Sequence, residues 1–361
     1  MSKVEAVILN TKPFRPTDYN EKAMTAVINE SYLVADVKKD GVRLNLIVEG
    51  GDHRTEWLSR EGKRFPTFNL TGQPLNFDPR WKRFFNPNLG EGLFADGFML
   101  DAELIIVDLE GNEVPCKTTS GTLRRQVPLA LSALRVYVFD ILPLASVLSG
   151  GEDDTMLCVR KGWVEYQVAC LKKEFPEIDW RVAESYEVYS MDTLPVIERE
   201  MTDEDGNETV VKLQPPLSLT QLYNAVRERG EEGLVCKDPM GAYRRSKVSG
   251  WWKMVPDDNE DGKVVGLVWG TEGLANEGKV IGFEVLLESG HVVKACKISR
   301  ALMDEFTEKV NEANFGTDNY DVNPYEGYTA RVTFMERYPD GSLRHPSFDC
   351  FRGISDPLIK E

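Results

Sequence analysis

With 361 residues, 42% of them hydrophobic and 28% charged, the chain has the make-up of a globular protein of one large domain or two. Its 43 basic and 59 acidic residues give a net charge of −16, which argues against simple coating of nucleic acid but leaves room for a segregated basic face on a short duplex. No apolar run reaches the roughly 18 residues of a membrane helix, Met1–Glu5 opens no signal peptide, and six cysteines without a C-x-x-C pair support neither a zinc site nor a disulfide framework, so a cytoplasmic protein with no membrane partner is expected.

In chain order, the spacing predicts a helix over Asp18–Asn29, with Ala23, Ala26 and Val27 on its apolar face. Leu33–Val37 then reads as a strand, Lys38–Gly41 as a tight turn on Asp-Gly, and Arg43–Val48 as the returning strand. Phe98–Val107 and Leu134–Leu142 are further strands, with a loop at Thr118–Gly121 between them. Helices are predicted over Met156–Phe175 and from a Ser218/Gln221 capping box to Gly230. The acidic stretch Thr202–Thr209, centred on Asp205-Gly206-Asn207, reads as a surface hairpin or insert. Polar Pro256–Gly262 marks a domain boundary. Short strands follow at Lys263–Trp269, Val280–Glu288, His291–Ile298, Thr329–Glu336 and Ser347–Phe351. They are interrupted by one helix over Ala301–Val310 capped by Ser299, a pattern that suggests a small closed barrel of the OB type.

The chemistry centres on Lys38-Lys39-Asp40-Gly41-Val42-Arg43. By average residue usage, K-x-D-G-x-R should occur by chance in about one in a few hundred chains of this length. A free lysine titrates near 10.4, so a lysine that attacks at neutral pH needs neighbouring cations or partial desolvation. The sequence offers partners for such a site. Asp101 and Glu103 stand at i and i+2, on one side of a strand. Glu232 and Lys237 bracket another, and Ser249-Gly250-Trp251-Trp252-Lys253 adds a further lysine. Carboxylates suit magnesium, and lysines neutralise charge building on a phosphate.

These segments, in this order, resemble the motifs of the covalent nucleotidyltransferases, and within them the chain is similar to the small ATP-dependent DNA ligases of the bacteriophage type. Lys38–Arg43 matches the nucleophile motif, Ser59-Arg60 the short arginine motif, and Phe98–Leu104 the acidic motif with Ala102 in the glycine place. Val138–Leu142 matches the aromatic motif, Glu232–Lys237 the E-G-x-x-x-K motif, and Trp251–Lys253 the start of the last. Gly266–Phe306 and Gly341–Phe348 resemble the C-terminal half of the phage enzymes.

The resemblance implies an α+β fold: a nucleotidyltransferase (adenylation) domain of antiparallel sheets flanked by helices over 1–255, then a small OB-fold β-barrel over 256–361 that binds DNA across a hinge at Pro256–Gly262. It implies that Lys38 attacks the α-phosphate of ATP and that Asp36 accepts from the adenine amine, where the family more often has Glu. Phe139 would stack on adenine, and Arg43, Arg60 and Glu103 would hold the ribose and phosphate region. Lys237 and Lys253 would contact the α-phosphate, and Glu103 and Glu232 would hold magnesium, with manganese as the alternative. The expected partners are ATP and nicked double-stranded DNA, with the protein acting as a monomer. NAD as donor is disfavoured, because only 37 residues precede Lys38 and the cysteine spacing does not make a four-cysteine zinc site. One departure stands out: the family's K-x-K reads Lys253-Met254-Val255, one lysine short. Two other readings remain open at this point, an RNA ligase or capping guanylyltransferase, and a non-catalytic nick-binding protein.

Overall fold

The computed structural model describes residues 6–352 except 53, 70–74, 86–92, 193–196, 203–207, 214–215, 257, 274, 317–321 and 339. The first elements are strand β1 (Arg15–Asp18) and helix α1 (Glu21–Glu30), capped by the Asn20 side chain, which accepts from the Ala23 amide at 3.0 Å. Because Asp18 closes a strand, α1 starts three residues later than predicted. Its buried face centres on Met24, and Ala26 is exposed. Next come β2 (Leu33–Lys38), β3 (Val42–Glu49), β4 (Thr55–Ser59), the short α2 (Pro66–Asn69) and β5 (Gly97–Ile106). Then follow α3 (Cys116–Leu123), β6 (Leu134–Pro143), α4 (Leu144–Ser149), α5 (Leu157–Glu174), β7 (Asp179–Val182) and β8 (Ser185–Val188).

Helix α3 replaces the loop predicted at Thr118–Gly121. Its Thr, Ser and Gly content is weakly helical, but packing overrides propensity: Leu123 is buried and the Thr119 hydroxyl, fully buried, accepts from the Ile106 amide of β5.

The chain continues through β9 (Ile197–Thr202) and β10 (Glu208–Leu213), an antiparallel pair that makes the expected hairpin, although its tip at Asp205–Asn207 lies outside the described residues. Helix α6 (Leu219–Glu228) carries the full Ser218/Gln221 capping box. Strands β11 (Gly233–Lys237), β12 (Lys247–Met254), β13 (Asp258–Trp269), β14 (Val280–Leu287) and β15 (Val292–Ala295) follow. The last elements are α7 (Arg300–Asn314), β16 (Thr329–Phe334), β17 (Glu336–Arg337), β18 (Leu343–Arg344) and β19 (Ser347–Phe351).

By contacts the chain divides into two units, Met1–Tyr189 with Val235–Lys253, and Ser190–Leu234 with Met254–Glu361. The first unit is built on two five-stranded sheets, ordered β1-β12-β11-β2-β8 and β4-β3-β5-β6-β7. They are not purely antiparallel, since β1 runs parallel to β12 and β6 parallel to β7. One core packs α5, through Val164, Val168 and Leu171, onto the inner face of the second sheet at Leu44, Leu100, Ala102 and Val138. A second cluster joins the opposite face of that sheet, at Ile47, Met99 and Leu142, to Phe14, Tyr243 and Trp251. Strands β3 and β5 are therefore covered on both sides over Leu46–Val48 and Phe98–Leu100, where their sequences run apolar without a break.

In the second unit the sheet runs β15-β14-β13-β16-β19 around a core of Phe283, Phe306, Phe348 and Phe351. Among the described residues the two edges meet through one bridge, from Cys296 just after β15 to Ser347 of β19, so the expected closed barrel is joined there at a single point and not by a ladder. Within the predicted boundary segment Pro256–Gly262, the structure shows strand in place of a linker. Asp258–Gly262 pair with Phe334–Ala330 as the first half of β13, their polar side chains being tolerated on a partly exposed strand. Among the described residues no helix is long and apolar enough to cross a membrane.

Candidate active site

Strands β2 and β3 turn between Lys38 and Val42 at the rim of a cavity of about 420 Å³ within the first unit. The turn needs Gly41, but for a reason other than a left-handed backbone. A Cβ there would stand 2.7 Å from the Leu104 carbonyl oxygen of β5, so glycine lets the turn press against the neighbouring strand. The Cys116 thiol donates to the Gly41 carbonyl at 3.1 Å and adds α3 to the clamp. Gly41→Ala is expected to lower stability by about 1–3 kcal/mol, the usual cost of overpacking. A denaturant midpoint equal to the parent's would refute this account of the motif glycine.

Eight of the nine predicted site residues line this cavity: Asp36, Lys38, Arg43, Arg60, Glu103, Phe139, Lys237 and Lys253. Glu232 does not line it. It sits just before β11, with its backbone carbonyl accepting from Arg227 at 3.0 Å. Sequence reading missed Arg15, Lys39, Lys247 and Trp251, which line the same space. Arg15 and Lys247 stand opposite each other on β1 and β12, and no local pattern signals that parallel pairing across more than 200 residues. The cavity thus gathers Arg15, Lys38, Lys39, Arg43, Arg60, Lys237, Lys247 and Lys253 against two carboxylates, Asp36 and Glu103. In a chain of net charge −16 such a concentration of cations marks a polyanion site.

The individual side chains are fixed by a dense polar network. Arg43 donates to Asp101 at 2.5 and 2.6 Å and to the Phe14 carbonyl at 2.8 Å, and its guanidinium stacks 4.6 Å from the Phe139 ring. Asp101, fully buried, also accepts from Asn45 at 2.9 Å and from the Tyr243 hydroxyl at 2.6 Å. Burial disfavours charge on Arg43, but Asp101 more than offsets it and holds the guanidinium firmly protonated. Asp101 and Glu103 do share one face of β5, as expected, yet only Glu103 reaches the cavity, while Asp101 anchors Arg43. Opposite them β6 bulges: Asp101 pairs with Asp140 and Ala102 with Val138, leaving Phe139 as the extra residue facing the cavity.

Asp36 is 4% exposed and lies between two lysines, with Oδ2 2.5 Å from Lys237 Nζ and Oδ1 2.7 Å from Lys161 Nζ. Burial pushes its carboxyl up, but Lys237 and Lys161 outweigh that and hold it below the ordinary value. Lys237, 1% exposed, is pushed down by burial against the pull of Asp36. Lys253 lies 3.2 Å from Asp18, which also meets Lys247 at 3.4 Å. Val255, in the place of the second motif lysine, is buried.

Residues 15–217 match the family described as the ATP dependent DNA ligase domain, and residues 256–352 match the DNA ligase C-terminal domain. The chain belongs to the ATP-dependent DNA ligases. It is 42% identical to the DNA ligase of Escherichia phage T7, over 96% of this chain and 98% of that one, and 40% identical to that of Enterobacteria phage T3, over 97% and 98%. The solved ATP-dependent DNA ligase from bacteriophage T7 in complex with ATP superimposes with a TM-score of 0.79, covering 95% of this ligase and 99% of that chain. Chlorella virus DNA ligase-adenylate, at 15% identity and a TM-score of 0.51, covers 96% of this ligase and all of that chain, and shares the fold alone. The phage-type resemblance read from the motifs therefore holds over nearly the whole length.

Proposed function

We propose that this ligase seals nicks bearing a 5′-phosphate and a 3′-hydroxyl in duplex DNA, with Lys38 as the nucleophile. The Lys38 amine attacks the α-phosphorus of ATP, the bond to the β-phosphate oxygen breaks, and pyrophosphate leaves as the amine gives up its proton. An oxygen of the nick's 5′-phosphate then attacks the phosphorus of the lysine adenylate, freeing Lys38. The 3′-hydroxyl finally attacks the 5′-phosphorus and AMP departs. The observation that carries this reading is the convergence of Lys38 with seven other cations in one cavity of a chain of this family.

In this scheme Phe139 stacks on the base, Asp36 meets the adenine amine, and Arg60 and Glu103 hold the ribose and phosphates. Lys237 and Lys253 neutralise the α-phosphate. Arg43, tied to Asp101 and stacked on Phe139, shapes the base pocket more than it binds phosphate. Magnesium fits as an ion carried in on the nucleotide. Among the described residues no three of Asp, Glu, His and Cys form a cage, but the cavity offers the Glu103 carboxylate. Magnesium typically uses one or two carboxylates plus substrate phosphates, and when bound it supplies charge neutralisation on the triphosphate. Residues 1–255 act as the adenylation domain and 256–361 as the OB-fold DNA-binding domain. We read the enzyme as a monomer of the host-cell cytoplasm.

The test is intact mass after incubation with ATP and magnesium, which should rise by one AMP, with nicked DNA sealed faster than nicked RNA. No adduct with ATP would overturn the reading, and an adduct from GTP instead would point to capping chemistry.

The missing lysine at Val255 yields a sharper expectation. One charged contact is worth about 1.5–3 kcal/mol, or about one to two decades in rate. Arg15 and Lys247 already add cations beyond the predicted set. Val255→Lys should therefore raise the rate of enzyme–AMP formation by less than about two decades. A gain of many decades would mean that the native chain is crippled at this step.

A further inference from the structure

Asp36 is compensated from two directions, and the two lysines differ in where they can go. Lys237 Nζ borders the cavity, 4.0 Å from the Trp251 ring and 4.8 Å from that of Phe139. Its contact with Asp36 Oδ2 is close, yet neither atom makes a well-aligned hydrogen bond. Lys161, by contrast, donates a regular hydrogen bond to Oδ1 at 2.7 Å and does not line the cavity. It projects from α5, whose position is fixed by the core residues Val164 and Val168 and by the fully buried pair of Arg160 with Asp140.

A buried carboxylate with one cationic partner holds that partner tightly, because moving the cation away would strand an uncompensated charge. If Lys237 were alone with Asp36, a phosphate would have to compete for it against that penalty. A second, stationary cation removes the conflict. We propose that Lys161 is a positioning residue for adenylation: it serves as the standing counter-ion of Asp36, so that Lys237 is released to the α-phosphate when ATP enters. This rests on the reading above, in which Lys237 meets that phosphate. The mutual repulsion of Lys161 and Lys237 across one carboxylate, which helps push Lys237 down, acts in the same direction. It also gives the aspartate at this position a rationale: Lys161 holds Oδ1 against α5, and Oδ2, once Lys237 leaves it, is open to the adenine amine.

Single-turnover formation of enzyme–AMP, followed against ATP concentration, tests the idea. Lys161→Met should lower the limiting rate by about tenfold, with the half-saturating ATP concentration moving less than the rate. Lys161→Arg should restore most of the loss, since it keeps the charge. In an Asp36→Asn background, slower in itself, Lys161→Met should have little further effect, because no buried anion then needs a counter-ion. An unchanged rate in Lys161→Met, or the same fractional loss with and without Asp36→Asn, would overturn the proposal. Lys161→Gln substitutes for Lys161→Met if the latter folds poorly. If the parent itself forms no adduct with ATP, the underlying reading fails and this proposal falls with it, whereas a parent that forms the adduct beside an unaffected Lys161→Met refutes the proposal alone.

Discussion

Lys38→Ala is expected to abolish the AMP adduct and to reduce ATP-driven nick sealing by at least about 10⁴-fold, the scale of loss when a nucleophile is removed. The neighbouring lysine cannot take over. Lys39 stands 5.0 Å over the Tyr137 ring and 4.0 Å from Glu113, tied to the outer end of β6. Lys237 and Lys253 face their own carboxylates, Asp36 and Asp18. Lys38 ends a strand at a half-buried position, so its truncation should leave the denaturation midpoint within about 0.5 kcal/mol of the parent. The decisive arm is a nick supplied already as the DNA-adenylate. Once AMP is on the DNA the lysine's covalent work is finished, so the variant should still join that substrate while failing with ATP and an ordinary nick. Intact mass and a sealing gel together read both arms. An AMP adduct persisting in Lys38→Ala would move the nucleophile elsewhere.

How much of this was legible beforehand depends on the range of the forces involved. The β2–turn–β3 hairpin is local, and Asp40-Gly41 between two apolar runs announces it. The reason for Gly41 is not local. It is the approach of a carbonyl 63 residues away on β5, which a turn rule attributes to dihedral preference instead. Likewise α5, α6 and α7 follow from apolar spacing and caps. Helix α3 does not, because Thr119 and Leu123 gain their helix from contacts with β5 and the core. Asp258–Gly262 look like a linker because a strand's register is set by its partner, β16, and not by its own composition. The site shows the same division. Apart from Lys39 and Trp251, the cavity residues inside compact motifs are legible, whereas Arg15, Lys161, Lys247 and Tyr243 contribute through pairings between distant segments. Spacing puts Asp101 and Glu103 on one side of a strand and the resemblance singles out Glu103, but only packing shows what Asp101 does beneath it, anchoring Arg43.

That buried acid sets up the largest expected effect on stability. Asp101 accepts from Arg43 twice, from Asn45 and from Tyr243; the carboxylate, Asn45 and Tyr243 are fully buried and Arg43 is largely so. Asp101→Ala would leave the Arg43 guanidinium with only the Phe14 carbonyl among these partners and the Tyr243 hydroxyl without its acceptor. Breaking one side of a buried pair in this way costs about 3–5 kcal/mol. Asp101→Asn keeps an acceptor for Tyr243 but loses the charge, so it should fall between parent and alanine. Adenylation should fall with stability in both variants, because Arg43 stacks on Phe139 and a loosened guanidinium releases the ring that frames the base. The rate loss should therefore appear mainly as weaker ATP saturation, unlike the limiting-rate loss expected at Lys161. Urea denaturation followed separately by the fluorescence of Trp251-containing and Trp251→Phe chains would report the first unit's transition. If Asp101→Ala left that transition within about 1 kcal/mol of the parent, the buried network would be incidental to the fold, since surface substitutions already reach about half that value. Tyr243→Phe provides the internal comparison: it removes the hydrogen bond to Asp101 and the one the hydroxyl accepts from the Phe14 amide at 3.0 Å, while keeping the ring against Phe14 and Trp251, and should cost about 1–3 kcal/mol. A loss in Tyr243→Phe as large as that in Asp101→Ala would shift the weight of the network from the Arg43 charge to the hydroxyl.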